Sequence, residues 1–209
     1  MIRTAIACAA LASSAYAAAA WLTQDFQVWT AEGARRHEVA LAPVATPDVR
    51  VEGPGLAAAR GLRDVFADGR SVTIVDFIYT RCETVCLSLG TTFQQLQASL
   101  QQAPASNVRL ASISFDPRDT TGDLRAYASR LGAGPRWQFL RVTDARERRE
   151  LLARLQVTVV PNGRDFEHNA ALLVVDPQGR LVRIFDLAEQ QLALDYARHL
   201  ARQGQGGKS

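Results

Sequence analysis

At 209 residues, 47% hydrophobic and 22% charged, the chain is long enough for one globular domain with extra sequence at an end. Its net charge of +3 comes from Arg scattered among Asp and Glu. The densest basic stretch, Arg146-Glu147-Arg148-Arg149-Glu150, alternates in sign like a solvated helix face, which argues against a nucleic-acid partner. The three cysteines are too few for a disulfide scaffold, so a cysteine pair here is not read as a staple for a small core.

The chain begins with the short basic start Met1-Ile2-Arg3-Thr4, followed by an uncharged, Ala-dominated run to residue 24. Ala15-Tyr16-Ala17 has the small-x-small form of a signal cleavage site. An uncharged run of about 20 residues also suits a membrane-spanning helix, with Arg3 on the cytoplasmic side and Trp21 near the far interface. Residues 1–24 are therefore read as a signal peptide or transmembrane anchor; both export the rest of the chain. Cys8 comes after small residues, as at a lipoprotein site, but the apolar stretch ahead of it is too short, and it is assigned to the membrane segment.

Residues 25–48 carry Pro43, Pro47 and a polar stretch, and read as a juxtamembrane linker with a short strand at 39–41. Residues 49–203 read as the folded domain and 204–209 as a Gly-rich flexible tail. Within the domain, Gly53-Pro54-Gly55 precedes a short helix at 56–66, closed by Asp68-Gly69. The β-branched run 71–79 predicts a buried strand. Val85, Leu89, Phe93, Leu96 and Leu100 recur at spacings of three and four, which predicts a helix over 84–102. A second strand is expected at 108–115. Thr120 and Asp123 have the spacing of a capping box, with a helix through 124–131. Residues 137–142 form a third strand, and Thr143 or Asp144 caps a helix to Leu155. Residues 156–161 read as a short extended piece and 162–169 as a polar loop. A hairpin, 170–175 and 181–185, turns at Asp176-Pro177-Gln178-Gly179, and a helix spans 186–202. Strands alternating with helices, then a hairpin and a helix, imply an α/β, thioredoxin-like fold: a central mixed sheet flanked by helices.

Cys82 and Cys86 stand where the first buried strand runs into a helix, four positions apart and able to share one helix face. Thiols at a helix N-terminus are candidates for a redox-active pair, and as thiolates for soft-metal ligands, Cu(I) above all. His37 lies beside Arg35 and Arg36 in the linker, and His199 near the end of the last helix, where a cationic imidazole is favoured. His168 lies immediately ahead of a buried strand, at the sheet edge that carries the cysteines. Cys82, Cys86 and His168 together suit copper, as Cu(I) or Cu(II). Asp116 and Asp119 sit at the end of the second strand as a turn and cap. Tyr79 and Trp137 read as core or rim aromatics. No paired carboxylates, Ser nucleophile or phosphate-cradling loop occur, so the sequence offers no other catalytic or cofactor-binding group.

These stretches also resemble a known family. Residues 77–86, Ser114-Phe115-Asp116-Pro117-Arg118-Asp119-Thr120, Trp137-Gln138-Phe139-Leu140, and His168 followed by 172–179 match in order the motifs of the SCO/SenC family of membrane-tethered, thioredoxin-like copper proteins. The resemblance implies copper held by Cys82, Cys86 and His168, and a role in assembling the copper A centre of cytochrome c oxidase, with its copper-bearing subunit or another copper or thiol protein as partner. It implies anchoring in the inner membrane facing the periplasm, or a periplasmic protein if residues 1–24 are cleaved. The family commonly places Pro after each cysteine, where this chain has Glu83 and Leu87, and Asp before the histidine, where it has Glu167. The alternative is a metal-independent thiol–disulfide oxidoreductase acting through Cys82 and Cys86 on a partner's cysteines. A peroxiredoxin-type peroxidase is disfavoured, because Thr80-Arg81-Cys82 lacks the Pro of such a site.

Overall fold

The computed structural model describes residues 2–23, 25–26, 28–81, 85–103, 106–163 and 165–206; the side chains of 85–88, 205 and 206 lie outside the description. Two compact units, residues 1–41 and 42–209, are taken separately.

The first unit contains two helices. Helix α1 (Ile2–Leu22) is rich in Ala, the strongest helix former. None of it is buried, and it is long and apolar enough to cross a membrane. Helix α2 (Ala31–Leu41) replaces the short strand expected at 39–41. Thr30 Oγ1 accepts the Gly33 amide at 3.0 Å and so caps the helix start. Arg35 pairs with Glu32 one turn away at 2.8 Å. The cap and the Ala, Glu and Arg content outweigh the β-branched preference of Val39.

In chain order the second unit comprises strands β1 (Val44–Ala45), β2 (Arg50–Glu52) and β3 (Arg60–Gly61), then helix α3 (Leu62–Phe66) and strand β4 (Val72–Ile78). Helix α4 (Val85–Gln101), strand β5 (Val108–Ser114), helix α5 (Thr121–Arg130), strand β6 (Trp137–Val142) and helix α6 (Ala145–Arg154) come next. The chain continues with strands β7 (Val159–Asn162), β8 (Asp165–His168), β9 (Leu172–Val175) and β10 (Arg180–Phe185). A 3₁₀ turn (Leu187–Glu189) leads into helix α7 (Gln190–Gly206), which carries the helix into the stretch expected as a loose tail. Eight strands form one sheet in the order β1-β10-β9-β4-β5-β6-β2-β3. The centre β4-β5-β6 is parallel and the outer pairs are antiparallel. This is the mixed, helix-flanked sheet expected from the sequence.

All seven residues of β4 are buried, as a near-continuous apolar strand in a sheet covered on both faces must be. On one face Val72, Ile74 and Ile78 pack with Leu110, Trp137 and Phe139 of the neighbouring strands, beneath Phe93, Leu96 and Leu100 of α4. Leu124 and Tyr127 of α5, with Ala193, Leu194 and Ala197 of α7, complete that core. Burying each large side chain there contributes about 1.5–3 kcal/mol.

Two local expectations change. The helix expected over 56–66 shortens to α3, because Arg60 and Gly61 are drawn into the sheet as partners of Val51 and Arg50. The polar loop expected over 162–169 is instead the outer part of a hairpin, β7–β8, in which Val159 faces His168 and Asn162 faces Asp165. The caps agree with the sequence: Thr120 and Asp123 close a capping box on α5, and Asp144 accepts the Arg146 and Glu147 amides at the start of α6.

Candidate metal centre

The site is built at the C-terminal end of β4, where Tyr79, Thr80 and Arg81 leave the sheet toward α4. Thr80 is buried. Its amide donates to Asp119 Oδ2 at 2.9 Å and its hydroxyl to Asp119 Oδ1 at 2.6 Å. Ser114 Oγ, at the end of β5, donates to Asp119 Oδ2 at 2.6 Å. A fully buried carboxylate with three such donors is satisfied, and it fixes the end of β4 to the loop after β5.

Asp116, also buried, accepts the Arg81 guanidinium at 2.8 Å. Arg118 donates to the same carboxylate through its amide, Nε and Nη2, at 2.9–3.1 Å. Burial pushes this carboxyl up, but the Arg118 and Arg81 donors outweigh it and hold Asp116 below the usual carboxylate value. Both guanidiniums stay about half exposed, so Arg81 and Arg118 form a rim where the chain enters Cys82.

His168 ends β8 and is drawn inward beside this rim. Its ring lies 5.1 Å from the Phe115 ring. Burial pushes the imidazole below its ordinary value, and a hydrogen bond to the Phe77 backbone works the other way. Nε2 is buried and has no hydrogen-bond partner among the described residues. An imidazole whose charged form burial disfavours, with a buried nitrogen that has no hydrogen-bond partner among the described residues, has the electronic form of a metal ligand. That nitrogen therefore fits a soft or borderline cation.

The structure thus brings His168 to the Phe77–Tyr79 end of the strand that leads into the cysteines. Cys82 lies outside the described residues, and of Cys86 only the backbone, in the first turn of α4, is described. Among the described residues no three His, Cys, Asp or Glu side chains converge on a metal position. Of the remaining candidates, His37 belongs to α2 of the first unit, His199 is exposed on α7 with Gln203 2.9 Å away, and Cys8 is a free, exposed thiol on α1. Tyr79 and Trp137 are buried, as expected.

Deeper in the sheet, a carboxyl that no sequence motif marks lies among hydrophobic side chains. Asp76 is fully buried on β4, in register with Ser112 on β5. Burial pushes it up to about 7, against a hydrogen bond from Ser112. Ser112 Oγ in turn accepts Trp137 Nε1–H at 2.9 Å. The other Asp76 oxygen, Oδ1, has no partner among the described residues. Phe115 and Arg118, which the sequence marks only as members of a motif, and Phe166, which it does not mark, are further parts of the site. The out-in alternation of Asp165-Phe166-Glu167-His168 is the available signal, being that of a strand.

Residues 64–202 match the SCO1/SenC family. A SCO1 protein homolog of Bacillus subtilis is 29% identical over 123 residues, 56% of this chain and 63% of that protein, so the match spans less than two thirds of the relative. The structure of Bradyrhizobium japonicum ScoI with copper bound superposes with a TM-score of 0.60 at 21% identity, covering 75% of this chain and 99% of that one. BsSco, described as a Sco-family cytochrome c oxidase assembly protein with a disulfide switch, gives 0.65 at 21% identity, covering 77% and 95%. At these identities the two structures establish a shared fold. With the family match over 64–202, they make this chain a member of the SCO1/SenC family.

Proposed function

We propose that this chain is a copper metallochaperone that binds copper through Cys82, Cys86 and His168 and helps assemble the copper A centre of cytochrome c oxidase. The observation that carries the reading is the buried Nε2 of His168, which has no hydrogen-bond partner among the described residues. In this reading two thiolates supply the soft ligands that Cu(I) prefers, and the imidazole adds the borderline ligand that also suits Cu(II). Of the residues flanking Cys82 in the sequence, Arg81 favours the thiolate form and Glu83 opposes it. The copper is cargo, so the site has to release it by ligand exchange with a partner's thiolates or imidazoles. The copper-bound ScoI and the oxidase-assembly role of BsSco support both metal and target. The partner is then the copper-bearing oxidase subunit or another copper or thiol protein.

In the same reading, residues 1–24 are the signal or inner-membrane anchor and 25–48 the linker that presents domain 49–203 to the periplasm, with 204–209 as its tail. The exposed, apolar α1 supports a membrane role for the first segment.

Anaerobic Cu(I) titration of the reduced chain tests the site. About one copper per chain is expected for a two-thiolate, one-imidazole centre, with weaker binding in Cys82→Ala, Cys86→Ala and His168→Ala. A His168→Ala protein that binds copper as tightly as the parent overturns it.

The disulfide switch of BsSco favours a second reading, thiol–disulfide exchange. The Cys82 and Cys86 thiols would give two electrons and two protons to a partner disulfide, which becomes a dithiol, and close their own disulfide. That activity survives His168→Ala and is lost in Cys82→Ser or Cys86→Ser, the opposite pattern for the histidine.

A further inference from the structure

We propose that Phe166 is the positioning residue of His168: it pins the histidine-bearing hairpin to the body of the protein and so fixes where Nε2 points. The inference rests on His168 being a copper ligand. Strands β7 and β8 form a separate two-stranded sheet that joins no strand of the eight-stranded one. A hairpin with four-residue strands does not hold its shape alone in water. On β8, Asp165 and Glu167 point outward, and only Phe166 and His168 turn inward. On β7, Val160, Pro161 and Asn162 are all exposed. The outer half of the hairpin is therefore fastened to the body through Phe166.

That fastening is built on several sides of one ring. Phe166 meets Tyr79 edge-on at 5.2 Å and 79°, and Phe115 edge-on at 5.4 Å and 89°. The Arg118 guanidinium lies over the ring, 5.5 Å from its centroid, and is itself seated on Asp116. Tyr79 Oη stands 3.5 Å from both the amide nitrogen and the carbonyl oxygen of Phe166. At the other end of the hairpin, Asn169 Oδ1 accepts the Thr158 amide at 2.7 Å, and its Nδ2 donates to the Gln156 carbonyl at 3.1 Å. His168 lies between the two fastenings and shares the Phe115 ring with Phe166. Without the Phe166 ring, the strand that carries the imidazole loses its edge-on contacts to Tyr79 and Phe115 and the Arg118 cation above it, and keeps the long Tyr79 Oη contacts to its main chain, the His168–Phe115 contact and its Asn169 end.

The test compares wild type, Phe166→Ala, Phe166→Tyr and His168→Ala as full chains. Amide hydrogen exchange of residues 165–169 is read without metal, and the Cu(II) spectrum and Cu(I) affinity with it. In Phe166→Ala, exchange is expected to rise across 165–168 while β4 and β5 stay protected. Copper affinity should fall by about tenfold or more, as when an outer-shell partner of a ligand is lost. The Cu(II) spectrum should move toward that of His168→Ala, and Phe166→Tyr, which keeps the ring, should restore both readouts. Wild-type exchange in Phe166→Ala overturns the pin, and faster exchange with an unchanged copper spectrum overturns its positioning role. If His168→Ala itself binds copper like wild type, the ligand reading fails and the positioning role fails with it. The metal-free exchange data still show whether Phe166 holds the hairpin, so the two failures are distinguishable.

Discussion

Thr80 and Asp119 are joined at two points, amide to Oδ2 at 2.9 Å and hydroxyl to Oδ1 at 2.6 Å. The contact ties a residue two positions before Cys82 to a loop 39 residues further on. It makes the exit of β4, just ahead of Cys82 in the sequence, a fixed point.

Removing that carboxylate leaves the Thr80 amide and the Thr80 and Ser114 hydroxyls without their acceptor. We expect Asp119→Ala to cost about 2–4 kcal/mol, as for buried groups that lose a charged partner. Asp119→Asn, which keeps the shape, should cost less. Urea unfolding checks this, and a loss below about 0.5 kcal/mol would show that the clamp contributes no more than an ordinary surface contact.

Asp76 gives stability a pH dependence of unusual sign. Its folded pKa is raised from 3.8 to about 7, so the folded state holds a proton that the unfolded chain has already released. The contribution is fully present below about pH 4 and is lost as pH rises toward 7, after which it levels. Asp76→Asn should leave stability unchanged near pH 4 and raise it above pH 7, by about 1–3 kcal/mol for relief of a buried charge. Denaturant midpoints for both proteins between pH 4 and 8 give the answer, and parallel curves would sink the assignment.

Asp116 acts in the opposite sense. Its folded pKa lies below the ordinary 3.8, so its contribution is present above that value and is lost as pH falls through the folded pKa. Taking away Arg118 removes the largest of the effects that lower it. Acid unfolding of Arg118→Ala, monitored by circular dichroism, should begin at higher pH than in wild type; coincident acid limbs would contradict the pairing.

Cargo binding to the folded state should show in thermal unfolding. Free Cu(I) at about 100 times its dissociation constant adds about 2.7 kcal/mol. The rise in Tm should shrink in His168→Ala and disappear when both cysteines are replaced. An equal rise in all variants would place the copper elsewhere.

The sheet was legible in the sequence because its strands are apolar and its turns carry marked residues. Val72–Ile78 reads as a buried run, and Asp176-Pro177-Gln178-Gly179 punctuates the β9–β10 hairpin. The caps at Thr120 and Asp144 depend on neighbours within three residues and were equally readable. Elements held by distant partners were not. The two residues of β3 are a strand only because β2 lies beside them, and β8 looked like a loop because its charged residues are as frequent as its inward-facing ones. His168 could be named from the sequence, but its burial depends on Phe115, far earlier in the chain. Phe166 could not be assigned a role, because its neighbours Tyr79, Phe115 and Arg118 come from other parts of the chain.

The eight-stranded sheet ends on each side in a strand of two residues, Val44–Ala45 and Arg60–Gly61. So short a border offers an incoming chain almost no row of free amides and carbonyls to copy, which guards against edge-to-edge aggregation. It also restricts how another protein can engage this domain. Strand addition onto either two-residue end strand has almost no backbone to use, so a partner approaching there has to engage side chains and loops instead.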